Sequence, residues 1–168
     1  MFKKYQPNFR SKFSAGGRGK RGGFRVRGPI KSFRDLDVYT KSTALSAEIF
    51  ALRAPKNFEL DEELKILKDL SKYIPKMIAE SYGNRFDNFA VAERKLEKTA
   101  EIITAIISKL DFIILVLKGK EKISLAEEIK EFQEKMERLL KDYSTLRAKT
   151  LNLKRAWIRI NENFNKKT

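Results

Sequence analysis

Cations and aromatic side chains are the residues of this chain best suited to chemistry, and they concentrate at its two ends. The first 34 residues carry 11 Lys and Arg and no acid, interleaved with aromatics as in Phe9-Arg10 and Phe24-Arg25. The last 24 residues carry seven cations and one acid. Cations neutralise phosphates and release counterions, while aromatic and guanidinium planes stack on unpaired bases. Both ends are therefore candidate nucleic-acid-binding segments.

The candidate binding residues are the cations of these ends. They are Arg10, Lys12, Arg18, Lys20, Arg21, Arg25 and Arg27 at the N-terminal end, and Lys149, Lys154, Arg155 and Arg159 at the C-terminal end. Two other interpretations of the N-terminal segment stay open, a solvated leader that aids solubility and an organellar transit peptide, although the segment lacks amphipathic periodicity. At the C-terminal end, Trp157, Ile158 and Ile160 could dock on the body while the charges are only solvated.

The side chains that most enzymes use are missing. The chain has no Cys and no His, which excludes a thiolate nucleophile, a disulfide framework and the commonest general base. The carboxylates of Glu93, Glu97 and Glu101 alternate with cations, which is typical of exposed ion pairs. The sequence therefore predicts no catalytic residue, no metal site and no cofactor.

The elements that must position the cationic ends are helical. Six of the eight Gly lie in residues 1–34, so we expect a disordered Arg/Gly-rich tail there. From residue 35 onward, apolar periodicity predicts four helices, at about 36–53, 60–82, 86–117 and from a capping box at Ser124 and Glu127 to near Lys149. Short loops between them favour an all-α, antiparallel up-down-up-down four-helix bundle over residues 35–150, followed by a basic extension over 151–168.

Three local features refine this prediction. Pro75 lies inside the second helix, where it predicts a kink near residues 71–74 because the apolar stripe resumes in phase. Gly83-Asn84 predicts a left-handed cap that closes this helix, and Gly119-Lys120 predicts the next turn. The longest apolar run has six residues, so we expect a cytoplasmic protein without a membrane span.

The third predicted helix carries more apolar residues than one bundle core requires. A surplus face of this kind suits homo-oligomerisation, because a monomer would expose an aggregation-prone patch. The predicted oligomer interface consists of Ile106, Leu110, Ile113, Ile114 and Leu117.

Three short segments of the sequence resemble a known group of four-helix-bundle proteins. They are Phe33-Arg34-Asp35-Leu36-Asp37-Val38-Tyr39, Ile74-Pro75 with Ile78-Ala79-Glu80-Ser81-Tyr82-Gly83, and Trp157-Ile158-Arg159-Ile160-Asn161. The group includes the ribosomal-RNA intervening-sequence proteins and the accessory variability determinants of diversity-generating retroelements. The Trp-Ile ending resembles the retroelement branch, and Ser81 stands where the ribosomal branch usually has Gly. The resemblance covers about residues 33–161.

The resemblance implies a non-enzymatic accessory protein. Proteins of the retroelement branch are basic bundles that form homopentamers and bind a reverse transcriptase together with its template RNA and cDNA. The alternative is an RNA-binding protein of the ribosomal intervening-sequence type. An oligomer whose tail drives condensation without a defined partner also fits the composition.

Overall fold

A computed structural model describes residues 30–56, 58–120 and 127–166, with Lys120 described by its backbone only. The predicted all-α fold is confirmed, since the described residues contain helices and no strand. A short 3-10 turn at Phe33–Asp35 precedes α1 (Asp37–Phe50), α2 (Asp61–Ser71), α3 (Tyr73–Asn84), α4 (Phe89–Lys120) and α5 (Glu127–Asn165). Helices α2 and α3 are two halves of one kinked helix. Counted in this way, the body has four helices, which pack around a common apolar core.

Residues before the predicted boundary at residue 35 form part of the helical body. The backbone N–H groups of Lys31 and Ser32 both donate to the Asp35 carboxylate at 2.9 Å, and the Ser32 hydroxyl accepts from the Arg34 N–H. This capping box fixes the turn, and the Phe33 ring packs edge-on against Tyr39 at 4.8 Å between centroids. Residues 30–34 therefore belong to the helical body rather than to the tail.

The predicted kink lies at Lys72, between α2 and α3. Lys72 keeps right-handed helical angles, with φ −63° and ψ −26°. Pro75 has no N–H, so the carbonyl of Ser71, four residues earlier, lacks the donor that residue 75 of a regular helix supplies. The buried Ser46 hydroxyl of α1 donates to that carbonyl at 2.8 Å. The proline thus leaves a buried backbone carbonyl available, and a side chain of the neighbouring helix α1 donates to it.

We expect Ser46→Ala to lower the free energy of unfolding by about 1–2 kcal/mol, because it leaves the buried Ser71 carbonyl without a donor. In a Pro75→Ala background the same change should cost much less, since an alanine at that position supplies the intrahelical N–H. Urea unfolding of the four chains of this double-mutant cycle measures the coupling. Equal costs of Ser46→Ala in both backgrounds would show that the hydroxyl does not serve this carbonyl.

The predicted left-handed cap at Gly83-Asn84 is wrong. Helix α3 continues through Gly83 to Asn84, and Arg85 keeps right-handed helical angles. Two asparagines make the turn instead. The Asn84 side chain donates to the Glu80 carbonyl at 2.7 Å, and the Asn88 side chain accepts from the Val91 N–H at 3.3 Å as a helix N-cap. Helix α4 consequently begins at Phe89, with the predicted 32 residues but three positions later than predicted.

The predicted end of the last helix near Lys149 is also wrong. Helix α5 runs for 39 residues to Asn165, so the predicted extension over 151–168 is helical as far as the end of α5. No Gly or Pro interrupts it, and its inward stripe continues past Lys149 through the buried Thr150 and the partly buried Leu153 and Trp157. Of the predicted capping box, Ser124 lies outside the described residues.

The five residues predicted as an oligomer interface belong to the core of the single chain. Ile106, Leu110, Ile113, Ile114 and Leu117 are all buried. The reason is that α4 is the central helix, in contact with α2, α3 and α5. The chain itself covers these five side chains and leaves none of them free for another copy, while Phe112 and Leu115 of the same helix remain exposed.

Within the described residues, no helix combines the length and apolar character that crossing a bilayer requires.

Candidate nucleic-acid interface

Two of the four C-terminal cations predicted to bind nucleic acid form ion pairs with acids of other helices. Lys149 pairs with Asp37 at the start of α1 at 2.5 Å. Lys154 lies between Glu93 and Glu97 of α4, at 3.3 and 3.4 Å, with 19% of its side chain exposed. These cations fasten α5 to α1 and α4, which leaves them poorly placed to neutralise phosphates.

The other two predicted cations, Arg155 and Arg159, are exposed. Arg155 donates to the neighbouring Asn152 side chain at 3.2 Å, and neither arginine forms an ion pair with any described residue. At 3.6 residues per turn, both lie on the same side of α5 as the exposed Lys166. We call Arg155, Arg159 and Lys166 the cationic strip. Glu162 lies on this side of the helix as well, so the strip and this acid together carry a net charge of about +2.

Most other ion pairs of the body join acids and cations on different helices. The Lys95 ammonium donates to Glu80, and this hydrogen bond holds the pKa of the Glu80 carboxyl below its ordinary value against the opposing effect of burial. Further pairs between helices are Lys41 with Asp142, Lys109 with Glu63, Lys118 with Glu137, and Arg138 with Glu48. The cationic strip lies outside these pairs, as do other exposed cations of the described residues such as Arg53 and Arg94.

The seven predicted binding residues of the N-terminal tail, Arg10, Lys12, Arg18, Lys20, Arg21, Arg25 and Arg27, lie outside the described residues.

An open apolar groove of about 620 Å³ lies on the other face of the C-terminal half of α5. It is formed where this half of α5 meets the first described residues and the turn between α3 and α4. Its lining consists of Ile30, Leu36, Tyr82, Arg85, Phe86, Phe89, Trp157, Ile160, Asn161, Phe164 and Asn165. We call it the aromatic groove.

Helix α5 supplies one wall of the aromatic groove as a stripe at spacings of three and four residues, which puts the stripe on one helix face. Exposure rises along the stripe. Trp157 is half-buried and packs against the core, with its ring 6.4 Å from that of Tyr82. Ile160 is 50% exposed and Phe164 66% exposed. The far end of the stripe is therefore accessible to a ligand.

Arg85 supplies the opposite wall together with two rings. Its guanidinium carbon lies 3.4 Å from the ring centroid of Tyr82 and 4.1 Å from that of Phe86. It also donates to the Tyr82 carbonyl at 2.6 Å, while the Tyr82 hydroxyl donates to the Ile30 carbonyl at 3.4 Å. The Phe86 ring remains 74% exposed. Among the described residues of the lining, Arg85 is the single charged one, so they include a cation and no acid.

Sequence reasoning missed this groove. It singled out Trp157 and Ile160 as residues that could dock on the body, and it did not select Arg85, Phe86 or Phe164. The available signal was the helical spacing of Trp157, Ile160 and Phe164, which becomes visible once the last helix is extended past Lys149.

The described ranges contain no cluster of three or more acids that could hold a metal ion. Comparison with protein-family models, curated proteins and solved structures finds no match to this chain.

Proposed function

We propose that the chain is a non-catalytic accessory protein that binds a reverse transcriptase and its template RNA or cDNA in a diversity-generating retroelement. In this proposal it works in the cytoplasm as a homo-oligomer, a pentamer, of up-down-up-down four-helix bundles. The copying chemistry belongs to the polymerase. The accessory chain contributes cations that hold the phosphate backbone.

The observation that carries this proposal is that some charged side chains form ion pairs between helices and others do not. Most acids and cations that join the helices neutralise one another, whereas Arg155 and Arg159 lie exposed with no ion pair among the described residues. With a formal net charge of +15 for the whole chain, unpaired surface cations favour a polyanionic partner.

The segments that resemble the retroelement proteins support the choice of partner. Each occupies a defined structural position. The segment beginning at Phe33 forms the capped turn before α1, and Ile74-Pro75 follows the kink. In the third segment, Trp157, Ile160 and Asn161 line the aromatic groove. Ser81, which distinguishes the two branches of the group, is buried and donates to the Ala92 carbonyl of α4 at 2.7 Å.

The test is co-expression of the full chain with the reverse transcriptase encoded nearest to it, followed by purification and a cDNA synthesis assay on its template RNA. We expect a ternary complex, and RNA-templated cDNA only when both proteins are present. Association with ribosomal RNA in the absence of a polymerase would instead support the intervening-sequence function. Reverse transcription or any other turnover by the isolated chain would contradict a non-catalytic role.

A further inference from the structure

The aromatic groove has the physical character of a site for an unpaired nucleobase. Two of its rings, Phe86 and Phe164, are more than half exposed. Rings with exposed faces give stacking surfaces to bases irrespective of sequence, and alanine substitution of such rings weakens single-strand binding measurably.

The charge of the groove favours an anionic ligand over a neutral or cationic one. The described part of its lining includes the Arg85 guanidinium, which is already stacked against Tyr82 and Phe86, and no carboxylate. Lys31, next to the groove residue Ile30, is also partly exposed. A cation fixed beside aromatic faces suits a stacked base and its phosphate.

The groove also offers hydrogen-bonding groups. The side chains of Asn161 and Asn165 line it one helical turn apart on α5. Each amide carries a carbonyl acceptor and an NH₂ donor, which match the edges of an exposed base. The volume of about 620 Å³ lies within the range of small-molecule sites, which is suitable for one or two bases.

We propose that the aromatic groove binds unpaired bases of single-stranded RNA, stacked on Phe86 and Phe164 and contacted at their edges by Asn161 and Asn165. This inference rests on the proposed RNA binding and adds a second contact to it. The cationic strip lies on the opposite side of α5 from the groove, so the two contacts are separate. The strip binds phosphates and the groove binds bases.

Trp157, the single tryptophan of the chain, lines the groove and reports its occupancy by fluorescence. The full chain is titrated with a single-stranded oligoadenylate and with an abasic ribose-phosphate strand of the same length. We expect saturable quenching of Trp157 by the oligoadenylate only, and about tenfold tighter binding of it than of the abasic strand.

Phe86→Ala and Phe164→Ala should each weaken oligoadenylate binding about tenfold, while the slope of log affinity against log salt stays unchanged because no cation is removed. Both rings are exposed, so these variants should keep the wild-type circular dichroism and unfolding midpoint. The matched control is Phe112→Ala, which removes a ring that is 47% exposed on α4 and outside the groove, and should leave affinity unchanged.

The outcomes separate this inference from the proposed function. Equal affinity for the two strands, with no effect of Phe86→Ala and Phe164→Ala, would overturn base binding in the groove but leave phosphate binding standing. If RNA did not quench Trp157, and if the emission of the free protein changed with protein concentration, a second copy of the chain would fill the groove. This result would also overturn base binding. Absence of affinity for either strand would defeat the proposed RNA binding itself.

Discussion

Replacing Leu110 by alanine is expected to lower the free energy of unfolding by about 3 kcal/mol. Leu110 is fully buried on α4, where α2, α3 and α5 surround the helix. The loss combines the transfer free energy of the deleted methyl groups with the cavity that they leave. Urea unfolding measures it, and the shift in midpoint should be the same at every protein concentration because the cavity lies within one chain.

Leu115→Ala is the matched control, since Leu115 lies on the same helix but is 68% exposed. Its effect on unfolding should stay within about 0.5 kcal/mol. If Leu110→Ala instead kept the stability of the monomer and dissociated an oligomer, Leu110 would lie at an interface between copies and its position in the core would be wrong.

Removing the cationic strip with Arg155→Ala, Arg159→Ala and Lys166→Ala together should weaken single-stranded RNA binding about 100-fold at roughly 0.1 M salt. The estimate follows from counterion release, which contributes a slope of about −0.7 per phosphate contact for single strands, so three contacts amount to about two decades at that concentration. Equilibrium binding of a fluorescent oligonucleotide measures the change. The strip is exposed, so the fold should be unaffected.

Lys149→Ala with Lys154→Ala provides the comparison, because these cations pair with Asp37, Glu93 and Glu97. This double variant should change RNA affinity less than about threefold and should reduce stability modestly, as partly exposed ion pairs do. Equal losses of affinity from the two sets of substitutions would mean that total charge, and not the exposed strip, determines binding.

The fold was predictable where one residue type has one physical consequence. Pro75 lacks an N–H, and the helix bends just before it. Gly83 illustrates the opposite case. Glycine permits a left-handed cap but does not require one, and the side-chain bonds of Asn84 and Asn88 form the turn. The predicted end of α5 comes too early because polar residues become frequent after Lys149, although nothing there stops a helix.

The candidate site was less predictable because it depends on contacts between distant residues. Periodicity gives the width of the apolar face of α4 but not what covers it, and the chain's own helices cover the five residues predicted as an interface. Similarly, the sequence presents Lys154 and Arg155 as equivalent cations. Their positions on α5 differ by a rotation of about 100°, which turns Lys154 toward the acids of α4 and Arg155 toward solvent.

The central claim is that cations displayed by a helical body bind the phosphates of a nucleic acid, and the salt dependence of RNA affinity tests it most directly. Between roughly 50 and 200 mM salt, the log of the affinity of the full chain should fall linearly with log salt. The strip alone should give a slope of about −2, and further phosphate contacts should make the slope steeper. Deleting residues 1–29, which include nine cations, should make the slope shallower. An affinity that stays constant across this range would contradict the account.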